Sequence, residues 1–243
     1  MSTTSEANLK VWRFDPAVDQ KPYFQSYQVP TRKGLTVLEG LFYITDRLDG
    51  SLAYRSCCRA AVCGSCAMFI NGSYRLACET QVALFGGGEI TIGPLPRLKV
   101  VKDLVVDMEP FFAKYEAIKP FLINNSVAPE KERHQSPKVR HKIDSLIDCI
   151  LCGSCYSSCP TVWMSEEKEG YIGPAALTKA WRFVADSRDQ GAKERLGVIA
   201  SEEGLWRCHT AFNCVEACPK KINCTDSIQQ LKRKAILRKF GIG

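Results

Sequence analysis

Cys149–Pro160 reads CILCGSCYSSCP, four thiols in twelve residues spaced C-x2-C-x2-C-x3-C-P. In this spacing three cysteines each hold one corner of an iron-sulfur cube and the fourth serves a different cluster. A second cluster is therefore expected, and its ligands stand in CHTAFNCVEACP, Cys208–Pro219. Cys208, Cys214 and Cys218 repeat the frame, with Ala211 where its second cysteine would be. The crossed pattern assigns Cys149, Cys152, Cys155 and Cys218 to a 4Fe-4S cluster and leaves Cys159, Cys208 and Cys214 to the other. Three thiolates suit a 3Fe-4S cluster, because Ala211 has no donor atom for a fourth iron. A complete cube there would need water or another residue, and Cys224 is the one candidate thiol nearby. Pro160 and Pro219 each follow a ligand, where a fixed φ and a missing N–H help turn the chain away.

The first half carries a different frame. In RSCCRAAVCGSC, Cys58, Cys63 and Cys66 stand at C-x4-C-x2-C with Cys78 twelve residues on, the plant-type ferredoxin spacing for a 2Fe-2S cluster. Gly64 and the small residues Ala60, Ala61 and Ser65 let backbone N–H groups approach the cluster sulfurs. Cys57 is one residue out of register and reads as a buried spare thiol.

Around this loop the pattern is that of a β-grasp domain. Residues 1–8 are polar and expected to fray. Leu9–Phe14 and Tyr23–Val29 read as a hairpin across the turn-rich Asp15–Lys21. Thr36 and Glu39 form a capping box, followed by an apolar helical stripe of Val37, Leu41, Ile44 and Leu48 that Asp49-Gly50 stops. Ala67–Ile70 and Tyr74–Ala77 flank Asn71-Gly72, a strong hairpin turn, and Glu89–Leu95 supplies a last strand. Gly86–Gly88 lacks the lysine and following helix of a phosphate loop and reads as a turn.

Pro110–Pro137 breaks the pattern and reads as the domain join. Beyond it Ile143, Leu146 and Ile147 suggest a helix feeding Cys149. Gly173-Pro174 opens another with Leu177, Trp181 and Val184 on one face. Lys193–Ser201 is a shorter helix ended at Gly204, and Thr225 caps the last one, whose Ile228, Leu231 and Ala235 pack inward. The expected fold class is α+β: a plant-type ferredoxin domain over 1-108, a connecting segment over 109-137, and a helical, bacterial-ferredoxin-like domain over 138-243.

A chain of 243 residues with 45% hydrophobic content can bury a core without disulfide staples, and zinc wants paired CxxC units rather than two runs ending in Cys-Pro. With no apolar secretory segment and no run of eighteen apolar residues, thirteen cysteines point to a reducing compartment, cytoplasm or organelle matrix. The net charge of +7 lacks the aromatic interleaving of a nucleic-acid face and suits acidic lipid or an acidic partner better. In the last helix Lys232, Arg233, Lys234, Arg238 and Lys239 read as a solvated face with favourable charge near a helix C-terminus. His134 and His141 read as surface residues, while His209, beside Cys208, is placed for tuning or proton delivery at the incomplete frame. No dinucleotide fingerprint or nucleophile-base motif accompanies the clusters, so the chain reads as a relay of single electrons.

These motifs together resemble the iron-sulfur subunits of succinate dehydrogenase and fumarate reductase. The resemblance runs through SCCRAAVCGSC with LAC, DLVVDMEPFFAKYEAIKPFL, CILCGSCYSSCP, YIGPAAL with DSRDQG, and CHTAFNCVEACPK. It implies a complex in which a flavoprotein subunit interconverts succinate and fumarate on FAD, this subunit carries electrons, and a membrane anchor holds quinone beside the 3Fe-4S cluster. The subunit itself would sit on the cytoplasmic or matrix face without a transmembrane helix. Carried over by position, Pro160, Thr161, His209 and Ala211 line the quinone pocket. Trp163 matches the first of two adjacent tryptophans, and Met164 replaces the second, the one that holds quinone. That departure weakly favours menaquinone over ubiquinone. Cys224 departs too, standing where proline is usual. The rival expectations are a soluble multi-cluster electron carrier, the ferredoxin-like subunit of another flavoenzyme, or a zinc-stabilised structural protein.

Overall fold

In the computed structural model, which describes residues 6–165 and 170–241, the chain divides into two compact units. One comprises the residues up to Met108 together with Ile150–Ser157; the other comprises Glu109–Cys149 and the chain from Ser158 onward.

The first unit is built on a five-stranded sheet. Strands β1 (Glu6–Arg13), β2 (Tyr23–Pro30), β3 (Ala67–Ile70), β4 (Ser73–Leu76) and β5 (Ile90–Gly93) lie in the order β2-β1-β5-β3-β4. β1 runs antiparallel to β2 and parallel to β5, with Leu9 opposite Ile90. This is the β-grasp arrangement, and β1 shows why it forms: Ala7, Leu9 and Val11 alternate inward and are buried. β1 begins at Glu6, so residues 6–8 are paired rather than frayed, and residues 1–5 lie outside the described residues. Asn71 and Gly72, at φ 45° and 75°, make the tight turn between β3 and β4. The short pair β6 (Val100–Lys102) and β7 (Val105–Val106) has no counterpart in the sequence reading.

Helix α1 (Val37–Tyr43) opens on the expected capping box: Thr36 Oγ1 accepts from the Glu39 N–H at 3.2 Å, and Glu39 Oε2 accepts from the Thr36 N–H at 2.9 Å. Val37, Leu41 and Ile44 are buried, but Leu48 is 49% exposed. The reason is a π turn over Ile44–Leu48, closed by the Asp49 N–H on the Ile44 carbonyl at 2.7 Å. The extra residue per turn rotates Leu48 off the stripe. Asp49 is held by Tyr27 Oη at 2.7 Å and by the Ser51 N–H at 3.0 Å, and it pairs with Arg13. These bonds fix the end of the widened turn.

Accepting from the Thr36 N–H, the largest cause, holds the Glu39 carboxyl below its ordinary value, with Arg32 assisting against burial. A carboxylate with a depressed folded pKa contributes stability above its unfolded pKa and loses it as pH falls through the folded one. Thr36→Ala is expected to cost about 1 kcal/mol at neutral pH. In urea unfolding at stepped pH the gap from the parent should narrow through the titration of Glu39 by the share that the Thr36 hydroxyl's hydrogen bond to Glu39 Oε2 at 3.1 Å contributes, since alanine keeps the backbone N–H.

The second unit is helical: α2 (Glu109–Ala117), α3 (Pro137–His141), α4 (Asp144–Ile147), α6 (Pro160–Trp163), α7 (Pro174–Val184), α8 (Ala192–Ile199), α9 (Asn213–Glu216) and α10 (Cys224–Lys239) belong to it, while α5 (Ser154–Ser157) belongs to the first. Within the stretch expected to break the pattern, α2 is a regular helix. Its core joins Ile118, Tyr171, Leu177, Ala180, Leu196, Ile199, Leu205, Ile228 and Leu231. Pro174 takes the first position of α7, as its lost N–H and fixed φ favour. α8 ends at Ile199, and Gly204 instead precedes a 3-10 turn over Leu205–Arg207.

The cap of α10 differs from expectation. Asn223, not Thr225, is the capping residue, its side chain accepting from the Asp226 N–H at 2.9 Å. Thr225 lies inside the first turn and is buried. Of the basic residues on this helix, Lys232 donates to the Cys208 carbonyl at 3.0 Å and Arg238 to the Lys193 carbonyl at 2.8 Å.

Candidate electron-transfer centres

The loop before β3 carries Cys58, Cys63 and Cys66, and Cys78 follows β4. Arg59, Ala61 and Gly64 adopt left-handed φ of 57°, 55° and 72°, and these reversals turn successive amides toward sulfur. Cys58 Sγ accepts from the N–H groups of Ala60 at 3.4 Å, Val62 at 3.3 Å and Cys63 at 3.3 Å. Cys78 Sγ accepts from Ala61 at 3.2 Å, and Cys63 Sγ from Cys58 at 3.5 Å. Burial acts to raise the Cys63 thiol, but hydrogen bonds from Ser65 and the Cys58 N–H pull it to about 6. Burial pushes Cys66 up to about 12, and Cys78 is its hydrogen-bond neighbour. Cys58 with Cys63 and Cys66 with Cys78 are thus neighbouring pairs, and N–H dipoles point at their sulfurs, an environment that favours anionic sulfur and fits a 2Fe-2S cluster. Cys57 is exposed, which corrects its reading as a buried thiol; the sulfurs beside it are met by backbone N–H groups of the loop.

Cys152 and Cys155 also belong to the first unit. Left-handed Leu151 and Gly153, at φ 53° and 84°, bracket Cys152, and its Sγ lies 3.4 Å from Ser154 Oγ. A Cβ on Gly153 would sit 2.9 Å from Met108 Cε, and Ser157 Oγ donates to the Pro96 carbonyl at 2.5 Å. The segment is clamped against the end of the β-grasp domain.

In the second unit, Cys149 faces Tyr115 and Lys179. Burial lowers the Lys179 ammonium, and negative charge at Cys149 and Asp148 works against that shift. A half-buried cation beside a sulfur expected to be a cluster ligand would offset cluster charge. Cys218 Sγ accepts from the Ile222 N–H at 3.4 Å, where Lys221 takes a φ of 55°.

The three thiols left by the crossed pattern share one neighbour. Tyr171 is 1% exposed, hydrogen-bonds Cys208, and feels the charge of Cys208, Cys159 and Cys214 together; burial is the largest cause that raises its phenol. Cys159 takes the N-cap position of α6 without a side-chain cap hydrogen bond; burial raises its thiol, and the Val162 and Thr161 amides and the Thr161 hydroxyl work against that shift. Cys214 Sγ meets Cys224, and Thr225 Oγ1 stands 3.6 Å from it. Ala211 is exposed between Thr210 and Phe212, at φ 59° and 61°. Three sulfurs that share Tyr171, with alanine at the fourth place of the sequence frame, fit a cluster lacking one corner.

Of the residues carried over for a quinone pocket, Pro160, Thr161 and Trp163 lie on α6 and Met164 ends it. Thr161 is buried, Pro160 half-buried, and Trp163, Met164, His209 and Ala211 exposed, Met164 at 86%. His134 and His141 are exposed, the latter 3.5 Å from Asp144. Among the described residues no three His, Cys, Asp or Glu side chains form a group that would hold a single metal ion. Tyr171, Thr225 and Lys179 were missed by the sequence reading. Tyr171 opens YIGPAAL, where the local pattern marks only Gly173-Pro174 and the apolar Leu177, and Thr225 has the composition of a cap.

A family model for the 2Fe-2S iron-sulfur cluster binding domain matches residues 8–113, and one for the 4Fe-4S dicluster domain matches residues 141–219. The mitochondrial succinate dehydrogenase [ubiquinone] iron-sulfur subunit of Dictyostelium discoideum is 40% identical over 232 residues, covering 93% of this chain and 81% of that one. The succinate dehydrogenase iron-sulfur subunit of Coxiella burnetii is 40% identical over 230 residues, covering 94% and 96%. A chain in the structure of the Mycobacterium smegmatis Sdh1 complex in the apo form superposes with a TM-score of 0.84 at 29% identity, covering 98% of each chain.

Proposed function

Because the chain belongs to the family of succinate dehydrogenase iron-sulfur subunits, and so carries electrons in a succinate:quinone oxidoreductase, we propose that it links the FAD of a flavoprotein subunit to membrane quinone through three clusters. Cys58, Cys63, Cys66 and Cys78 would hold 2Fe-2S; Cys149, Cys152, Cys155 and Cys218 would hold 4Fe-4S; Cys159, Cys208 and Cys214 would hold 3Fe-4S. Such clusters supply one-electron transfer when bound, which suits them to join a two-electron donor to a distant acceptor. Along the chain the domains would be 1-108 for the first centre and 138-243 for the other two, with 109-137 joining them, while Ile150–Ser157 groups with the first compact unit.

The chain's residues contribute charge and access. N–H groups of the 58–63 loop stabilise negative sulfur, Lys179 sets a cation at Cys149, and Tyr171 donates at Cys208. Dicarboxylate chemistry belongs to the flavoprotein partner. No helix among the described residues is long and apolar enough to cross a membrane. Anchor subunits would hold this one at the cytoplasmic or matrix face, with exposed Trp163 and Met164 beside Pro160, Thr161, His209 and Ala211 toward the quinone. With methionine in the contact position, menaquinone is favoured.

The observation that carries the reading is the meeting of Cys159, Cys208 and Cys214 at Tyr171, with only a methyl at Ala211. Electron paramagnetic resonance of the anaerobically purified complex tests it. The oxidised sample should show a 3Fe-4S signal that succinate bleaches. Ala211→Cys should remove most of that signal and add a second reduced 4Fe-4S signal. Wild-type protein without a 3Fe-4S signal, or Ala211→Cys protein that keeps it at full strength, would count against the assignment.

A further inference from the structure

Cys214 is met by a second sulfur. Cys224 is the first residue of α10, 3% exposed, and its thiol is in hydrogen-bonding contact with Cys214. The next residue, Thr225, is also buried and brings Oγ1 to 3.6 Å from Cys214 Sγ. Two side chains on consecutive residues, a thiol and a hydroxyl each able to donate, therefore meet one sulfur. Their placement is fixed by the turn that starts the helix. The Cys224 N–H reaches the Ile222 carbonyl at 3.0 Å, the Asn223 side chain accepts from the Asp226 N–H, and the Ser227 hydroxyl donates back to the Asn223 carbonyl at 3.3 Å.

We propose that Cys224 and Thr225 raise the reduction potential of the three-thiolate centre by donating S–H and O–H to the Cys214 sulfur, Cys224 remaining a protonated neighbour and not a fourth iron ligand. The proposal rests on Cys159, Cys208 and Cys214 holding the 3Fe-4S cluster. Thiolates on separate irons are held apart by the edge of the cluster between them. A sulfur in hydrogen-bonding contact with Cys214 shares that ligand's space and has no corner of its own. An added electron makes the cluster more negative, so a donor at a ligand sulfur favours the reduced state, and burial strengthens the effect by excluding competing water. No bond is made or broken, and the proton stays on Cys224 in both states.

The test is a redox titration of the intact, membrane-assembled complex, following the midpoint and line shape of the 3Fe-4S resonance. Losing one donor in Cys224→Ala should shift the oxidised-to-reduced ratio at fixed potential about fivefold toward oxidised. At about 59 mV per decade for one electron, that is a midpoint lower by about 40 mV. Thr225→Val should move the midpoint the same way, and Cys224→Ser, which keeps a donor, should restore most of it, all with the 3Fe-4S line shape kept. A merely structural role would not give rescue by serine. Unchanged midpoints in both Cys224→Ala and Thr225→Val would overturn the proposal while leaving the cluster assignment intact. A wild-type 4Fe-4S signature turning into 3Fe-4S in Cys224→Ala would instead make Cys224 the fourth ligand, overturning both. Should Cys224→Ala fail to assemble, Cys224→Ser and Thr225→Val decide the matter: a lower midpoint in Thr225→Val with Cys224→Ser near wild type supports tuning, and no shift in Thr225→Val rejects it.

Discussion

Arg195→Met should cost the helical unit about 3–5 kcal/mol, read as lost hydrogen-exchange protection of the α7 and α8 amides. Arg195 is fully buried and its guanidinium has four separate tasks. Nε donates to the Ile118 carbonyl at 3.0 Å, Nη2 to the Lys119 carbonyl at 2.9 Å and the Phe121 carbonyl at 2.6 Å, and Nη1 to Asp189 Oδ1 at 2.6 Å. Asp189 in turn accepts from the N–H groups of Ile123 at 2.9 Å and Gly191 at 2.7 Å. Removing the cation strands a buried carboxylate and three carbonyls, which is where the penalty arises. Lysine should recover little, since one ammonium cannot span the same acceptors. Asp189→Asn added to Arg195→Met should recover part by removing the stranded charge. Ile118 packs in one core with Tyr171, so loosening this clamp should also broaden the resonance of the proposed 3Fe-4S centre. Full protection in Arg195→Met would mean that the carbonyls find other donors and that the clamp is redundant.

The cluster spacings and the β-grasp were legible because they are local. A ligand frame is a matter of counting residues, and a capping box needs only Thr36 and Glu39. What escaped depends on residues far apart in sequence. The π turn that exposes Leu48 is fixed by Asp49 meeting Arg13 and Tyr27, which no helical stripe reveals. Thr225 has the composition of a cap but is drawn inward to Cys214, leaving Asn223 to cap. DSRDQG could be quoted as a motif without a role, because its Asp186 meets Arg188 and Gln135 and its Asp189 meets Arg195 only in the folded chain. Cys57 shows the opposite failure: an apolar preference for burial was overridden by a loop whose interior is backbone N–H groups.

Gly64→Ala should lower the stability of the first unit by about 2–4 kcal/mol and weaken electron passage between the two centres whose ligands it adjoins. Gly64 has a φ of 72°, and a Cβ there would lie 2.7 Å from the Ile150 carbonyl oxygen and 2.9 Å from Cys152 Cα and Cβ. Two of those three atoms are backbone, so the clash is relieved only by moving one ligand loop away from the other. The first loop carries Cys63 and Cys66, and the second carries Cys152. On the proposed ligand sets, the bare Cα of Gly64 is thus what lets the 2Fe-2S and 4Fe-4S ligand loops touch. Gly72 is the control. It has a similar φ of 75°, but open space surrounds the position a Cβ would take, so Gly72→Ala meets backbone strain of about 1–2 kcal/mol without displacing a ligand. Thermal unfolding should therefore fall in both variants, and more in Gly64→Ala. The magnetic interaction between the reduced centres, and the rate at which the second fills after the first, should fall in Gly64→Ala alone. Equal electron transfer in the two variants, at matched stability, would show that the loop contact serves folding and not the path of the electron.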